Sequence, residues 1–384
     1  ALALADGCRR AGICRLIVPP DNHAEVAALP DVEVRSAETI TALIDQAPHG
    51  WGGRAPEVEA RPTVPNEAPD LRDIRGQGAA KRALEIAAAG GHNLLFEGPP
   101  GSGKTLLARR LPGILPPLGF DEALEVTRIH SVAGLHAEGT GLIRVPPFRA
   151  PHHTVSHAGL VGGGSPPRPG EVTLAHRGVL FLDEVPEFRR QALEVLRQPL
   201  EDGWVSLARA RGHVRFPARF MLVAALNPCP CGHRADGTDR CTCDAHLISR
   251  YRSRLSGPLV DRIDLQIRVD RVETRDLQRR PDGPASNEVA QRVRAARARQ
   301  SARLDGRLNR DLDPSALSTL VPLSSSCARF ANDAAERLCL SARGYHRALR
   351  VARTIADLDQ RDEVTEADLA EALHYRDLMA SERT

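Results

Sequence analysis

Lysine is nearly absent from this sequence: of the 52 basic residues, only Lys81 and Lys104 are lysines, and the others are arginines. Aromatic residues make up 3% of the chain, which argues against binding of single-stranded nucleic acid by stacking bases on aromatic side chains. No apolar run approaches the roughly 18 residues of a membrane-spanning helix, so we expect no membrane partner. The net charge of +3 gives no global basic field, so any contact with nucleic acid must come from a local patch.

One of the two lysines lies in a glycine-rich loop. The loop follows a short apolar strand at 93–97 and precedes a helical pattern at 106–110, and its residues are Gly98, Pro99, Pro100, Gly101, Ser102, Gly103, Lys104 and Thr105. This is the G-x-x-x-x-G-K-[ST] pattern of a phosphate-binding loop, in which backbone N–H groups and a helix N-terminus bind phosphate. We expect Lys104 to neutralise the β- and γ-phosphates of ATP and Thr105 to bind Mg²⁺.

Composition divides the chain into five parts around this loop. Residues 1–47 alternate strand-like and helix-like pieces, and five prolines and three glycines interrupt 48–70, which is typical of a semi-rigid linker. The next parts are an α/β nucleotide-binding core at 71–270, a polar second linker at 271–287 and an all-α lid at 288–384. The chain begins with Ala1 and not with Met, so we expect a piece of a longer protein, and the order of charge at 1–20 does not suit a signal peptide.

Two further strands of the core end in polar residues. Asp183 and Glu184 follow the apolar run 179–182, which is a Walker B pattern, and Asn227 follows the run 220–226. Buried parallel strands read as continuous hydrophobic runs, and their carboxyl ends open into the ligand crevice. We expect Asp183 to hold Mg²⁺, Glu184 to act as general base toward water, and Asn227 to orient the water or the γ-phosphate.

Arginines suggest additional roles. Two strands, 204–208 and 213–216, are joined through Arg209 and Arg211, and this hairpin is interpreted either as a probe of the phosphate backbone or as a solvated turn. Arg262 is either an arginine finger that reaches a nucleotide on a neighbouring subunit or one half of an ordinary salt bridge with Asp261 or Asp264. In the lid, Arg343 or Arg347 is placed to reach the phosphates.

Cysteines and histidines raise the question of metal. Two C-x-C pairs separated by nine residues suit a structural Zn²⁺ site, with reduced free thiols as the alternative, and they are Cys229, Cys231, Cys241 and Cys243. Histidines at 152, 153 and 157 do not have a standard ligand spacing and are more typical of a mobile loop. Eight cysteines in a nucleotide-dependent enzyme indicate the reducing cytoplasm rather than a disulfide framework.

Taken together, these motifs resemble the AAA+ ATPases of the magnesium-chelatase-like group and, within it, the YifB/ComM family. The matching stretches lie between residue 71 and the C-terminus and include 73–77, the phosphate loop, 151–154, 178–188, 208–212, 227–232, 257–265 and 341–358. The resemblance implies a hexameric ring with ATP between subunits, where Lys104, Thr105, Asp183, Glu184 and Asn227 act in cis and Arg262 in trans. It also implies that the hairpin faces the pore and that residues 1–47 are the end of a Lon-like N-terminal domain.

Two functions suit such an ATPase. The first is a motor on single-stranded or branched DNA, since ComM-like proteins are linked to branch migration during natural transformation; Arg209, Arg211 and the arginine-rich helix 292–303 support it. The alternative is an ATPase that remodels a protein partner, as in a metal-chelatase complex. An ATP-dependent protease with a Ser–Lys dyad is excluded, since no lysine lies outside positions 81 and 104.

Overall fold

The computed structural model of the chain describes residues 1–46, 69–137, 140–209, 212–234, 240–272 and 283–376. The elements in chain order are α1 (Leu2–Arg10), β1 (Arg15–Val18), α2 (Pro20–Ala27), β2 (Glu33–Ser36), α3 (Ile40–Gln46), α4 (Gly78–Gly90), β3 (Leu94–Glu97), α5 (Lys104–Ile114), α6 (Phe120–Val132), β4 (Phe148–Arg149), α7 (His157–Val161), β5 (Gly162–Gly163), β6 (Arg168–Pro169), α8 (Glu171–Leu174), β7 (Val179–Leu182), α9 (Arg190–Glu194), α10 (Arg197–Asp202), β8 (Trp204–Arg209), β9 (Gly212–Pro217), β10 (Met221–Leu226), α11 (Ala245–Arg252), α12 (Gly257–Val260), β11 (Leu265–Arg268), α13 (Ser286–Leu304), α14 (Pro314–Leu320), α15 (Ser325–Arg337), α16 (Ala342–Leu358) and α17 (Glu366–His374).

These elements belong to two compact units. The smaller unit contains residues 1–66, 117–146 and 163–169, and the larger contains 67–116, 147–162 and 170–384. Most of the first predicted linker, 48–70, and of the second, 271–287, lies outside the described residues. Among the described helices, none is long and apolar enough to cross a membrane.

The smaller unit combines residues that are distant in sequence. Its strands β1 and β2 pair in parallel, and helix α6 packs with the N-terminal helix α1. A shared apolar core contains Leu2, Val26 and Val34 together with Leu124 and other side chains of the 118–142 segment. The segment 117–146 therefore folds with the N-terminal residues, although the sequence-based division places it in the nucleotide-binding core.

The larger unit is built on a parallel sheet of five strands in the order β11-β3-β10-β7-β4. The central strand β10 pairs with β3 and β7, so that Val223 lies opposite Leu94 and Phe181. Every residue of β3, β7 and β10 is buried. The continuous hydrophobic runs in the sequence are thus explained by helices on both faces, and the predicted α/β fold class is confirmed.

Alternate residues of the strands face two separate cores. Side chains such as Phe96 and Val223 pack with α4, α5 and the C-terminal helices α13, α16 and α17. Their neighbours, such as Leu95 and Leu222, pack with α7–α10. Residues 190–202 form two helices, α9 and α10, and not one, because Pro199 has no N–H to bond the carbonyl one turn earlier.

The C-terminal helices pack against helices α4 and α5 of the core. The Arg297 Nε donates to the Ala88 carbonyl at 2.9 Å, and the Gln300 Nε2 donates to the Ala89 carbonyl at 3.1 Å. Helix α17 begins with a capping box: the Thr365 N–H donates to Asp368 Oδ2 at 2.8 Å, and the Asp368 N–H donates to Thr365 Oγ1 at 3.4 Å.

Candidate functional site

The phosphate-loop sequence forms a tight turn between β3 and α5. Gly101 and Gly103 have φ values of +75° and +95°, which glycine adopts without steric cost. Gly98 needs the absence of a side chain for another reason, since a Cβ there would lie 2.1 Å from the Val269 carbonyl oxygen. The turn leaves the free N–H groups of the first turn of α5 at the carboxyl end of the sheet, where an anion is favoured.

Lys104 is held in the centre of this loop. Its Nζ donates to the carbonyl oxygens of Gly98 and Pro99 at 2.7 and 2.9 Å and to Asn227 Oδ1 at 3.2 Å. Burial lowers the pKa of Lys104 from its ordinary value, and the nearby carboxylates of Asp183, Glu184 and Glu97 oppose that effect. The buried Ser102 hydroxyl has no hydrogen-bond partner among the described residues. An ammonium and a spare hydroxyl in one loop fit a phosphate group.

A hydroxyl and a carboxylate meet beside the loop. Thr105 Oγ1 donates to Asp183 Oδ2 at 2.6 Å, so two of the oxygen types that Mg²⁺ prefers lie together. The N–H of the next residue, Glu184, donates to Asp183 Oδ1 at 3.0 Å. Glu184 has a φ of +49° and an exposed side chain. This left-handed backbone is uncommon for a residue other than glycine, and such strained residues are frequent at active sites.

The sequence-predicted residues of three adjacent strands therefore converge. Lys104 follows β3, Asp183 and Glu184 follow β7, and Asn227 follows the central strand β10, whose Leu226 carbonyl accepts the Gly98 N–H at 3.2 Å. The cradle suits a nucleoside triphosphate with Mg²⁺, with Lys104 and Ser102 toward the phosphates and Thr105 and Asp183 toward the metal.

The three predicted phosphate-binding arginines, Arg262, Arg343 and Arg347, lie at the other end of the sheet. Arg347 forms an ion pair with Asp264, the residue just before β11. Asp264 Oδ2 in turn accepts the N–H of Asn93, the residue just before β3, at 2.9 Å. Because four strand residues span about 13 Å, these arginines are separated from the phosphate loop of their own chain by the length of the strands.

A cavity of about 600 Å³ opens at this end, and seven of its lining residues are arginines: Arg219, Arg262, Arg307, Arg310, Arg343, Arg347 and Arg350. Glu201 lies between two of them. It forms an ion pair with the buried Arg262 and lies 3.7 Å from Arg343. The salt bridge suggested as the alternative role of Arg262 is present, but its partner is Glu201 and not Asp261 or Asp264. The predicted partner is wrong because Asp264 faces Arg347.

Asp264 is fully enclosed by these groups. Burial alone would raise the pKa of this carboxyl, but the Arg347 guanidinium, His92 and the Asn93 N–H together lower it far below its usual range. The carboxylate connects the start of β11 to the lid helix α16. It thereby holds in place the arginine-lined end of the sheet, where the seven arginines of the cavity lie.

The hairpin of β8 and β9 is antiparallel, with Trp204 opposite Pro217 and Arg209 opposite Gly212. Arg215 lies over the Trp204 ring, 5.0 Å from its centroid. The predicted DNA-contacting Arg211 and the side chain of Arg209 lie outside the described part of the chain.

Helix α13, the second predicted basic element, uses several of its arginines in contacts within the larger unit. Arg292 pairs with Glu85, Arg303 with Asp357 and Arg299 with Asp362, while Arg297 contacts the core. Arg292 and Arg294 are nevertheless exposed, and the role of this helix in DNA contact stays a prediction.

The four cysteines come together. Their sulfur atoms all lie within 4.8 Å of one another, with distances of 3.3 Å between Cys229 and Cys231, 3.8 Å between Cys229 and Cys241, and 3.7 Å between Cys231 and Cys241. A tetrahedron of sulfurs at a Zn–S distance of about 2.3 Å has edges of about 3.8 Å. In the part of the chain that is described, these cysteines form the group able to share a metal ion, and the histidines at 152, 153 and 157 do not belong to it.

Sequence reasoning missed two supports of the phosphate loop. The Gln77 side-chain amide donates to the carbonyl oxygens of Asp270 at 2.6 Å and Ser102 at 3.4 Å. Glu97 is buried at the end of β3 and forms an ion pair with Arg252. A charged residue in an otherwise apolar, buried strand was the available signal for Glu97, since such residues are rarely buried without a partner.

The sheet, the phosphate loop and the converging polar strand ends define a P-loop ATPase of the AAA+ class. Residues 70–277 match the family described as magnesium chelatase, subunit ChlI, and residues 283–376 match its C-terminal family. The chain belongs to this magnesium-chelatase family, as its motifs predicted.

Relatives support this assignment along nearly the whole chain. A protein named YifB from Salmonella typhimurium is 43% identical over 98% of this chain and 73% of its own length. An uncharacterized protein from Mycobacterium tuberculosis is 46% identical over 96% of this chain and 73% of its own. The competence protein ComM of Haemophilus influenzae is 48% identical over 80% of this chain and 60% of its own.

Proposed function

We propose that this protein is an ATP-hydrolysing ring motor, a hexamer that acts on single-stranded or branched DNA during recombination, in the cytoplasm. The observation that carries the proposal is the division of the site. Lys104, Thr105, Asp183 and Asn227 meet at one end of the sheet, and an arginine-lined edge lies at the other. Two copies would complete one site if the arginine-lined end of one copy faced the phosphate loop of the other.

Within one chain, each residue has a distinct task. Lys104 binds the β- and γ-phosphates of the substrate, Thr105 and Asp183 hold Mg²⁺, Glu184 accepts a proton from the attacking water, and Asn227 orients that water. Bound Mg²⁺ supplies charge neutralisation of the phosphates. The neighbouring chain contributes Arg262 as a finger, with Arg343 and Arg347 beside it.

The cysteine cluster has a separate, structural role in the proposal. Four thiolates at tetrahedral spacing match a closed Zn²⁺ site, which leaves no open position for catalysis. We therefore assign Cys229, Cys231, Cys241 and Cys243 to Zn²⁺.

The test is the ATPase rate with and without single-stranded, duplex and four-way-junction DNA at two salt concentrations. Stimulation that weakens with salt is expected, because contacts to phosphates release counterions. The variant Arg209→Ala/Arg211→Ala should bind DNA more weakly, with a smaller salt slope and nearly unchanged basal ATPase. Arg329→Ala/Arg337→Ala, exposed arginines of helix α15, is the matched control for charge. Absence of stimulation in a preparation that forms rings would instead favour remodelling of a protein partner.

A further inference from the structure

The segment between β10 and α11 carries the four cysteines and contacts the phosphate loop. Gly232, which follows Cys231, has a φ of +80°, and a Cβ there would lie 2.5 Å from Cδ of the Pro100 ring. Pro100 is the third residue of the phosphate loop. The residue directly after the first cysteine pair therefore packs against the loop that cradles the phosphates, at a point where no side chain has room.

One end of this segment begins at the phosphate site, and the other end begins helix α11. Cys229 is buried two residues after Asn227, whose Oδ1 accepts a hydrogen bond from Lys104. At the other end, Asp244 follows Cys243 and caps helix α11 by accepting the Leu247 N–H at 2.7 Å. The segment thus connects the polar end of β10 to a helix.

The last residue of that helix returns to the phosphate loop. Arg252 Nε donates to the Pro228 carbonyl at 3.4 Å, and its Nη2 pairs with the buried Glu97, the residue before Gly98. The cysteine-bearing segment is therefore held against the phosphate loop on two sides, by Gly232 on Pro100 and by Arg252 on Glu97.

We propose that the metal-bound cysteine cluster acts as a brace for the phosphate loop, so that Zn²⁺ occupancy sets the affinity for ATP. This inference rests on the proposed ATP and Zn²⁺ sites. None of the cysteines needs to touch the nucleotide: they fix the path of 228–234 and 240–244, and these residues fix Pro100, Asn227 and, through Arg252, the end of β3. Without the metal, the segment loses its cross-link and the loop its preorganised shape, which lowers affinity.

The first experiment compares zinc content and ATP affinity in the full chain. Wild type, purified under reducing conditions, should contain one zinc per chain by elemental analysis. Cys241→Ser/Cys243→Ser should lose the zinc and bind a fluorescent ATP analogue about 10-fold more weakly, equivalent to about 1.4 kcal/mol. Cys14→Ser/Cys339→Ser, two exposed cysteines outside the cluster, should retain both properties.

A second variant tests the contact without touching a ligand of the metal. Gly232→Ala should keep its zinc yet bind the analogue several-fold more weakly, because the new Cβ displaces Pro100. Gly306→Ala is the matched control: its φ is +81°, but a Cβ there would meet nothing within 4 Å. If the double serine variant does not fold by circular dichroism, the comparison of these two glycine variants decides the question.

The outcomes distinguish the metal site, its effect on the phosphate loop, and the nucleotide site. Wild type without zinc would overturn the metal site. Zinc-free or Gly232→Ala protein with wild-type ATP affinity would overturn the brace while leaving the nucleotide site in place. Wild type that retains zinc but binds no ATP would overturn the proposed nucleotide site itself.

Discussion

Lys104 shows why a lysine occupies this position in a chain whose other basic residues are nearly all arginines. Its ammonium lies within 2.7–3.2 Å of three acceptors inside a tight glycine turn. A compact, tetrahedral donor satisfies that arrangement, whereas the planar guanidinium of arginine is larger and fixed in its fork geometry.

We expect Lys104→Ala to weaken ATP binding by about 10- to 100-fold, since hydrogen bonds to charged groups contribute about 1.5–3 kcal/mol. Titration with a fluorescent ATP analogue measures this effect. The melting temperature should fall little, because the desolvation cost of burying the Lys104 ammonium offsets much of what its hydrogen bonds contribute to stability. Binding as tight as in wild type would contradict the assignment of the phosphate loop.

Glu184 is the second residue whose role is testable in isolation. Its exposed side chain makes it free to meet water at the phosphate site, and Glu184→Gln keeps its shape while removing the base. We expect the variant to bind ATP normally and to hydrolyse it about 10²- to 10⁴-fold more slowly, measured by phosphate release in single-turnover conditions. Normal hydrolysis would assign the base to another residue.

At the scale of elements, Asp264 joins the start of β11 to helix α16 through Arg347. Its pKa is lowered in the folded state, so its contribution to stability is present above the unfolded-state pKa of about 3.9 and is lost as pH falls toward the folded-state value.

We expect Asp264→Asn to lower the free energy of unfolding by about 3–5 kcal/mol at pH 5, because it leaves the partly buried Arg347 guanidinium without its buried partner. The difference from wild type should begin to shrink below about pH 4, because the unfolded wild-type chain takes up a proton there while the folded carboxyl stays ionised. Denaturant unfolding at pH 5 and pH 3 provides the comparison, with the exposed Asp333→Asn as a control that changes stability by less than about 0.5 kcal/mol. A difference that is the same at both pH values would show that the lost stability does not come from the ionised carboxylate.

The elements that the sequence predicted well are those whose signals are local. The strands at 94–97, 179–182 and 221–226 have unbroken apolar runs, and the polar residues that follow them converge because the strands are parallel neighbours. Partners distant in sequence were not predictable. Glu97 and Arg252 are 155 positions apart. The ion pair of Arg262 with Glu201 forms only because helix α10 packs so that Glu201 reaches Arg262. The sequence likewise did not show that arginines of helix α13 form ion pairs, such as Arg303 with Asp357, 54 positions away.

At the scale of the whole molecule, we expect the proposed arginine finger to matter only after assembly. The Arg262→Ala variant should bind ATP as wild type does, because residue 262 lies at the opposite end of the sheet from the phosphate loop of its own chain. Its ATPase rate should fall about 10³-fold at concentrations where wild type forms rings. Light scattering with a parallel rate measurement distinguishes lost assembly from lost catalysis, and an unchanged rate in intact rings would remove Arg262 from the site.

The distance between the two ends of the sheet has a genetic consequence. A chain carrying Lys104→Ala keeps a sound arginine edge, and a chain carrying Arg262→Ala keeps a sound phosphate loop, so each inactive form retains the half that the other has lost. In mixed rings some interfaces would unite the two sound halves. Co-expression of two null alleles should then restore part of the activity, whereas two alleles damaged in the same half should remain inactive together.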